Sequence, residues 1–204
     1  MNRTEPVAWP VSLRLELPAG LLRLRPLRLA DEAPWRRLRT SNKAWLERWE
    51  ATSPGAVSAQ RPDFRKFIAS LTAQAKAGES LPWGIELDGN LVGQVTVNSI
   101  TYGSLRSGTI GYWISEHVAG RGLMPAAVAL ATDYCFWARK LHRIEVNICP
   151  GNAPSLRVVE KLGFRDEGVR EKYLHINGKW ADHRTFALVA ADVPGGLLPS
   201  MRKA

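Results

Sequence analysis

From Leu21 to Leu29 the chain alternates Leu-Arg-Leu-Arg before Pro26, the period of two that marks a half-buried strand. Leu13, Leu15 and Leu17 predict a preceding strand across the turn Pro18-Ala19-Gly20. The period then lengthens to that of helices. Asp31 reads as an N-cap, followed by helices over about Glu32–Arg39 and Asn42–Glu50, which set Trp45 and Trp49 on one face. Ala51–Arg61 reads as a loop. Pro62 suits the first turn of a helix carrying Phe64, Phe67, Ile68 and Leu71 and stopping near Gly78.

The middle of the chain predicts three antiparallel strands, Trp83–Leu87, Leu91–Tyr102 and Gly108–Ile114, broken at Asp88-Gly89-Asn90 and Gly103-Ser104. Next come a helix over Leu123–Arg139, a strand over Arg143–Cys149, and a helix over Ala153–Leu162 that Gly163 terminates. Strands over Gly168–Ile176 and Trp180–Val189 flank an Asn177-Gly178 hairpin turn. The tail from Pro194 is expected to be loose unless Leu197 and Leu198 dock. The pattern predicts an α/β fold, a mixed and mostly antiparallel sheet with helices on both faces. It is expected to form one domain over residues 1–204, with a core at about 21–190.

Composition narrows the classes. With 45% hydrophobic residues and eight tryptophans the chain can bury a substantial core, which argues against disorder. Two cysteines, Cys135 and Cys149, are too few for a disulfide scaffold, and both are expected to be buried and inert. The four histidines show no metal-ligand spacing, so no metal is expected. The first residues lack an apolar leader-like run. The longest uncharged apolar run, Leu123–Ala131, falls short of the roughly 20 residues that span a bilayer, so a cytoplasmic protein without membrane contact is expected. A net charge of +9 favours anionic partners, including nucleic acid, a ribonucleoprotein or a phosphorylated small molecule.

The most informative segment runs Ile110-Gly-Tyr-Trp-Ile114 and then, through Gly120-Arg121-Gly122, into Leu123-Met124. A strand passing through glycines into a helix N-terminus makes a cradle of backbone N–H groups for an anion. It lacks the Gly-Lys-Ser/Thr of a P-loop and the G-x-G-x-x-G of a dinucleotide fold.

Together with Ile144-Glu-Val-Asn-Ile-Cys-Pro-Gly-Asn152-Ala-Pro-Ser155 and Val158-Val-Glu-Lys-Leu162-Gly-Phe164, this segment resembles the GNAT superfamily of acetyl-CoA-dependent N-acetyltransferases. Gly122-Leu-Met124, Leu141-His-Arg-Ile144 and the stretch from Tyr173 to His183 are most similar to the RimJ/RimL group, nearest its RimJ branch. That group acetylates the N-termini of ribosomal proteins, an alanine in the RimJ branch. The resemblance implies that acetyl-CoA is held by the backbone of Ile114 and by Gly120, Arg121, Gly122, Leu123 and Met124, with Asn152 on the pantetheine arm. It also implies Glu145 as general base and Ser155 or Tyr173 as general acid, because Val159 stands where some relatives carry the acidic tyrosine. Trp35, Trp45 and Trp49 become candidates for the acceptor wall, with core packing expected for at least two of them. Ala119, Met124 and Ala126 depart from the family pattern, in a cradle that is mostly main chain.

The implied reaction is direct attack by a neutral amine on a thioester, with no cysteine or serine placed beside a base for a covalent intermediate. The expected acceptor is the N-terminus of an alanine-starting ribosomal protein, with contact to ribosome or RNA through the basic surface. Two other readings stay open: acetylation of a small amine such as a polyamine or aminoglycoside, and a ribosome- or RNA-binding module with little catalysis.

Overall fold

The computed structural model describes residues 9–54 and 63–198. The expected helical start at Pro62, most of the Ala51–Arg61 loop and the extreme ends of the chain lie outside that range. Eight strands form one sheet: β1 (Leu13–Leu17), β2 (Gly20–Arg25), β3 (Leu81–Leu87), β4 (Asn90–Thr101), β5 (Ser107–Ile114), β6 (Arg143–Ile148), β7 (Arg165–Ile176) and β8 (Lys179–Val189). Their order is β1-β2-β3-β4-β5-β6-β8-β7. Every neighbouring pair is antiparallel except β5 and β6, which run parallel.

The helices are α1 (Glu32–Ser41), α2 (Lys43–Leu46), α3 (Phe64–Lys76), α4 (Leu123–Trp137) and α5 (Ala153–Lys161). Sequence and structure differ around residues 42–50, where the expected helix is only α2 followed by a 3₁₀ turn at Glu47–Trp49. The predicted hairpin turn is present, with Asn177 at φ 44° and Gly178 at φ 87°, the left-handed pair that joins twisted strands without splaying them.

β3 shows why helices cover both faces. All seven of its residues are buried. Trp83 meets Tyr134 of α4 edge-on, with ring centroids 5.7 Å apart, while Pro82, on the opposite face, shares a crevice with Ile68 and Leu71 of α3. α4 is apolar nearly all round, and eleven of its fifteen residues are buried. The chain end docks on it: Leu197 is buried, and the N–H groups of Leu197 and Leu198 donate to the Asp133 carboxylate at 2.8 and 3.1 Å.

Asp31 does not cap α1 with its side chain. Its carboxylate instead receives the Arg25 guanidinium at 2.7 and 2.9 Å and the Arg28 N–H at 2.7 Å. Arg25 also donates to Glu86 of β3 at 2.5 Å, so a buried cation is shared by two carboxylates. Burial by itself pushes the Asp31 carboxyl up, but the bonds from Arg25 and Arg28 prevail and hold it below 3.8. Asp31→Asn is therefore expected to cost about 3 to 5 kcal/mol at neutral pH, by leaving Arg25 under-compensated. The contribution of Asp31 is complete above its ordinary carboxylate range and is lost as pH falls through the lowered value. Chemical denaturation across acid pH should show a steeper loss in the parent protein than in Asp31→Asn.

Candidate active site

Parallel pairing between β5 and β6 covers only Ser107↔Arg143, Gly108↔Ile144 and Thr109↔Glu145. β5 continues to Ile114 beside β4, and β6 continues to Ile148 beside β8, but the two no longer pair with each other. Between them opens a cleft of about 460 Å³. Its lining includes Ile110–Ile114, Val146–Cys149, the turn ahead of α4 and the start of α5.

The turn into α4 has Gly120 at φ 80° and Gly122 at φ 79°, left-handed values that a side chain would strain. No side chain caps α4, whereas Asp63 caps α3 and Asn152 caps α5. The first N–H groups of α4 thus need a partner from outside the helix, and Pro125 brings none to compete. A Cβ built on Gly120 or Gly122 meets nothing within 4 Å, so the space before the turn is open. These features fit an anionic group at the helix N-terminus.

The structure places Ile114, Gly120, Gly122, Leu123, Met124, Asn152 and Ser155 in the cleft lining. Arg121 is not there, and its guanidinium donates to the Ala19 carbonyl at 3.3 Å. Asn152 uses its side-chain oxygen to accept from the Ser155 N–H at 3.3 Å, which fixes the start of α5. The Ser155 carbonyl accepts from the Tyr112 hydroxyl at 3.3 Å, a link from β5 across to α5. Burial pushes the Tyr112 phenol far above its ordinary value, so it stays protonated.

Glu145 is not brought into the cleft. It sits at the last paired position before the strands part and accepts from Arg143 at 2.8 Å and Arg170 at 3.1 Å. The structure thus gives this carboxylate two guanidinium partners and no place in the cleft lining. Tyr173 also lies outside the lining, with its ring edge-on to His183 at 5.9 Å and beneath the Arg170 guanidinium at 4.9 Å.

Of the three tryptophans offered as candidates for the acceptor wall, with core packing expected for at least two, Trp45 and Trp49 line the cleft. The Trp45 Nε1–H donates to the Ile114 carbonyl at 3.1 Å, and Trp49 lies over Gly151. Asn42 braces the same corner, donating to Ser115 Oγ and accepting from the Glu116 N–H, each at 2.8 Å. Trp35 packs instead against Phe64 and Phe67.

The sequence reading missed Tyr112, Trp113, Arg157 and Lys161, all of which line the cleft. It also took Cys149 for an inert core residue without a base. Cys149 is in fact half-buried in the cleft, 3.3 Å from His183 Nε2, whereas Cys135 is fully buried, its thiol pushed up to about 12 by burial. Cys149 and His183 are far apart in the chain and meet because the β6–β8 register, through Ile148↔Arg184, sets them opposite each other. No spacing motif marks such a pair. Among the described residues no group of three or more His, Cys, Asp or Glu is placed to hold a metal, and no helix is long and apolar enough to cross a membrane.

An open gap between two parted parallel strands, beside an uncapped helix N-terminus, is the arrangement of an acyl-CoA-dependent acetyltransferase. The acetyltransferase (GNAT) domain family matches residues 22–165, and the chain belongs to that family. Relatives include a probable N-acetyltransferase, YjcK, of Bacillus subtilis, 35% identical over 83% of this chain and 94% of its own length. The ribosomal protein uS5 alanine N-acetyltransferase of Escherichia coli is 27% identical over 79% of this chain and 77% of its own length. Among solved structures, Mycobacterium smegmatis RimJ in complex with CoA-disulfide superposes with a TM-score of 0.86 at 38% identity, covering 93% of this chain and 92% of that one. The chain is an N-acetyltransferase that uses acetyl-CoA as donor.

Glu145→Gln is expected to lower stability by on the order of 1 kcal/mol, by loosening two partly exposed ion pairs. Its kcat should match the parent's. Urea denaturation and steady-state kinetics on one preparation check both halves.

Proposed function

We propose that the protein acetylates the N-terminal α-amine of a protein, with an alanine-starting ribosomal protein as the acceptor, by direct attack of the amine on the acetyl thioester. The observation that carries this reading is the likeness to M. smegmatis RimJ over nearly the whole of both chains. The activity named for the E. coli relative supports it. The charge of the cleft agrees. Among the described residues its lining holds Arg39, Arg157 and Lys161 against the single carboxylate Glu50, which is paired with Arg39. A polyamine or aminoglycoside acceptor calls for a net acidic wall, and this one is net basic.

In this reading the N–H groups at the start of α4, presented by Gly120, Gly122, Leu123 and Met124, bind the pyrophosphate of the donor. Arg157 and Lys161 on α5 add positive charge to the same lining. The pantetheine arm lies in the gap between β5 and β6, whose facing backbone groups have no partner strand, next to Asn152. Ser155, in the first turn of α5, donates its hydroxyl hydrogen bond to the departing sulfur. The aromatic wall of Trp45, Trp49 and Trp113 borders the acceptor. An α-amine with a pKa of about 8 is roughly a tenth neutral at pH 7, whereas a lysine amine near 10.4 is almost wholly protonated. A lining whose described carboxylate, Glu50, is already paired with Arg39 suits the α-amine.

Gly122→Trp is expected to fold, at a backbone cost of about 1–2 kcal/mol for the left-handed conformation, because a side chain there meets no protein atom. It should abolish measurable acetyl-CoA binding by titration calorimetry; unchanged affinity would remove the pyrophosphate from this turn.

An alanine-starting, lysine-containing peptide from a ribosomal protein should gain one acetyl group, on its N-terminus, near neutral pH. Tandem mass spectrometry locates it. Acetylation on lysine, or turnover of spermidine with none of the peptide, would replace this acceptor assignment with the small-amine one.

A further inference from the structure

With Glu145 outside the cleft, the proton lost by the attacking amine needs another acceptor. The described lining holds one carboxylate, Glu50, and one imidazole, His183, and Glu50 is tied to Arg39. His183 is 2% exposed, and the hydrogen bonds of its ring define its tautomer. Nδ1 lies 3.0 Å from the Ala181 carbonyl, which can only accept, so Nδ1 carries the hydrogen. Nε2 is left with its lone pair, 3.3 Å from Cys149 Sγ. Burial pushes the Cys149 thiol up, so the sulfur keeps its hydrogen and donates it to Nε2. Such an S–H···N bond is weak, and an amine N–H bearing positive charge is a much stronger donor that can displace it.

We propose that His183 is the general base of the acetyl transfer, its Nε2 receiving the proton of the attacking amine while the Cys149 thiol satisfies that lone pair in the resting protein. The inference rests on the reading of the cleft as the site of amine acetylation. As the amine nitrogen bonds to the acetyl carbon, the tetrahedral intermediate carries a positive nitrogen and a negative oxygen. His183 Nε2 takes the proton from nitrogen, the carbon–sulfur bond breaks with its electron pair going to sulfur, and the imidazolium returns the proton to the thiolate. The products are the acetylated amine and the free thiol, with His183 restored. Tyr173 packs edge-on against the ring and holds its plane, which makes it a positioning residue.

The charged and titratable groups around this imidazole are few. Cys149 faces it from the end of β6, and Arg170 and Tyr173 from β7, with Arg170 in register with His183 and bonded to Glu145. The remaining charged lining consists of the Arg39–Glu50 pair and the cations Arg157 and Lys161.

The test compares kcat/KM of the parent protein and His183→Gln from about pH 6 to 9 with one acceptor amine. The ionisation of the amine is common to both proteins, so the ratio of their rates isolates His183. The expected ratio is on the order of 10² at high pH and declines toward unity along a single-proton curve as the imidazole protonates. Acetyl-CoA affinity should be unchanged by calorimetry. A ratio that does not vary with pH, or a pH-dependent ratio that follows Glu50→Gln instead, would overturn the proposal. Nitrogen NMR of the parent protein gives an independent check that needs no variant to fold, and a hydrogen found on Nε2 in place of Nδ1 also overturns it. So does an acetyl adduct on Cys149 after incubation with acetyl-CoA alone, since transfer would then pass through the sulfur. If the parent protein acetylates a small amine but no peptide, the acceptor assignment fails while the His183 comparison proceeds with that amine.

Discussion

The cleft depends on one interruption, the end of parallel pairing between β5 and β6 after Thr109↔Glu145. Each strand keeps its outer partner, β4 on one side and β8 on the other, so neither frays. Their inner edges then face each other across a gap. Backbone N–H and C=O groups on such edges are obligatory hydrogen-bonding groups, and an extended amide-bearing chain is the kind of ligand that satisfies them. The Tyr112 hydroxyl reaching the Ser155 carbonyl and the Trp45 indole reaching the Ile114 carbonyl brace the two sides.

The same economy governs the helix that follows. α4 is buried along most of its length against the sheet, which fixes its axis, while its N-terminus is left without a side-chain cap. The positive end of its dipole and its free N–H groups meet at the mouth of the gap. Because this cradle is made of main chain, departures from the family pattern at Ala119, Met124 and Ala126 leave its chemistry intact. What matters at positions 120 and 122 is the ability to hold positive φ, which glycine does without strain.

The side chains at the reactive end follow a different logic. Glu145 and His183 lie on neighbouring strands, yet one is paired with Arg143 and Arg170 while the other lies buried at the cleft lining with a defined tautomer. Electrostatic compensation therefore separates the acidic residue that stabilises the sheet from the imidazole proposed to serve the amine. The buried Arg25 between Asp31 and Glu86 plays the corresponding structural part where the chain leaves β2 toward α1. There the carboxylate that looks like a helix cap is claimed by a stronger partner.

By itself the sequence determined the strands and most of the helices, because the periods of two and about 3.6 and the turn residues at Gly78, Gly163 and Asn177-Gly178 are local signals. It also determined the glycine turn into α4 and the family, since both are written in contiguous residues. Only the tertiary structure decided which side chains share the cleft. The Cys149–His183 contact spans 34 positions in the chain and exists because of the β6–β8 register. Glu145 looked like a base until two arginines from separate strands closed on it. Trp35 and Trp45, both near the start of the chain, parted company once one met the phenylalanines of α3 and the other the end of β5. For Cys149 and the tryptophans the deciding partner is remote in sequence, and Glu145 is held both by Arg143, two residues away on β6, and by the remote Arg170 of β7. Hydrogen bonds, ion pairs and packing between remote residues leave no periodic trace in the chain that forms them.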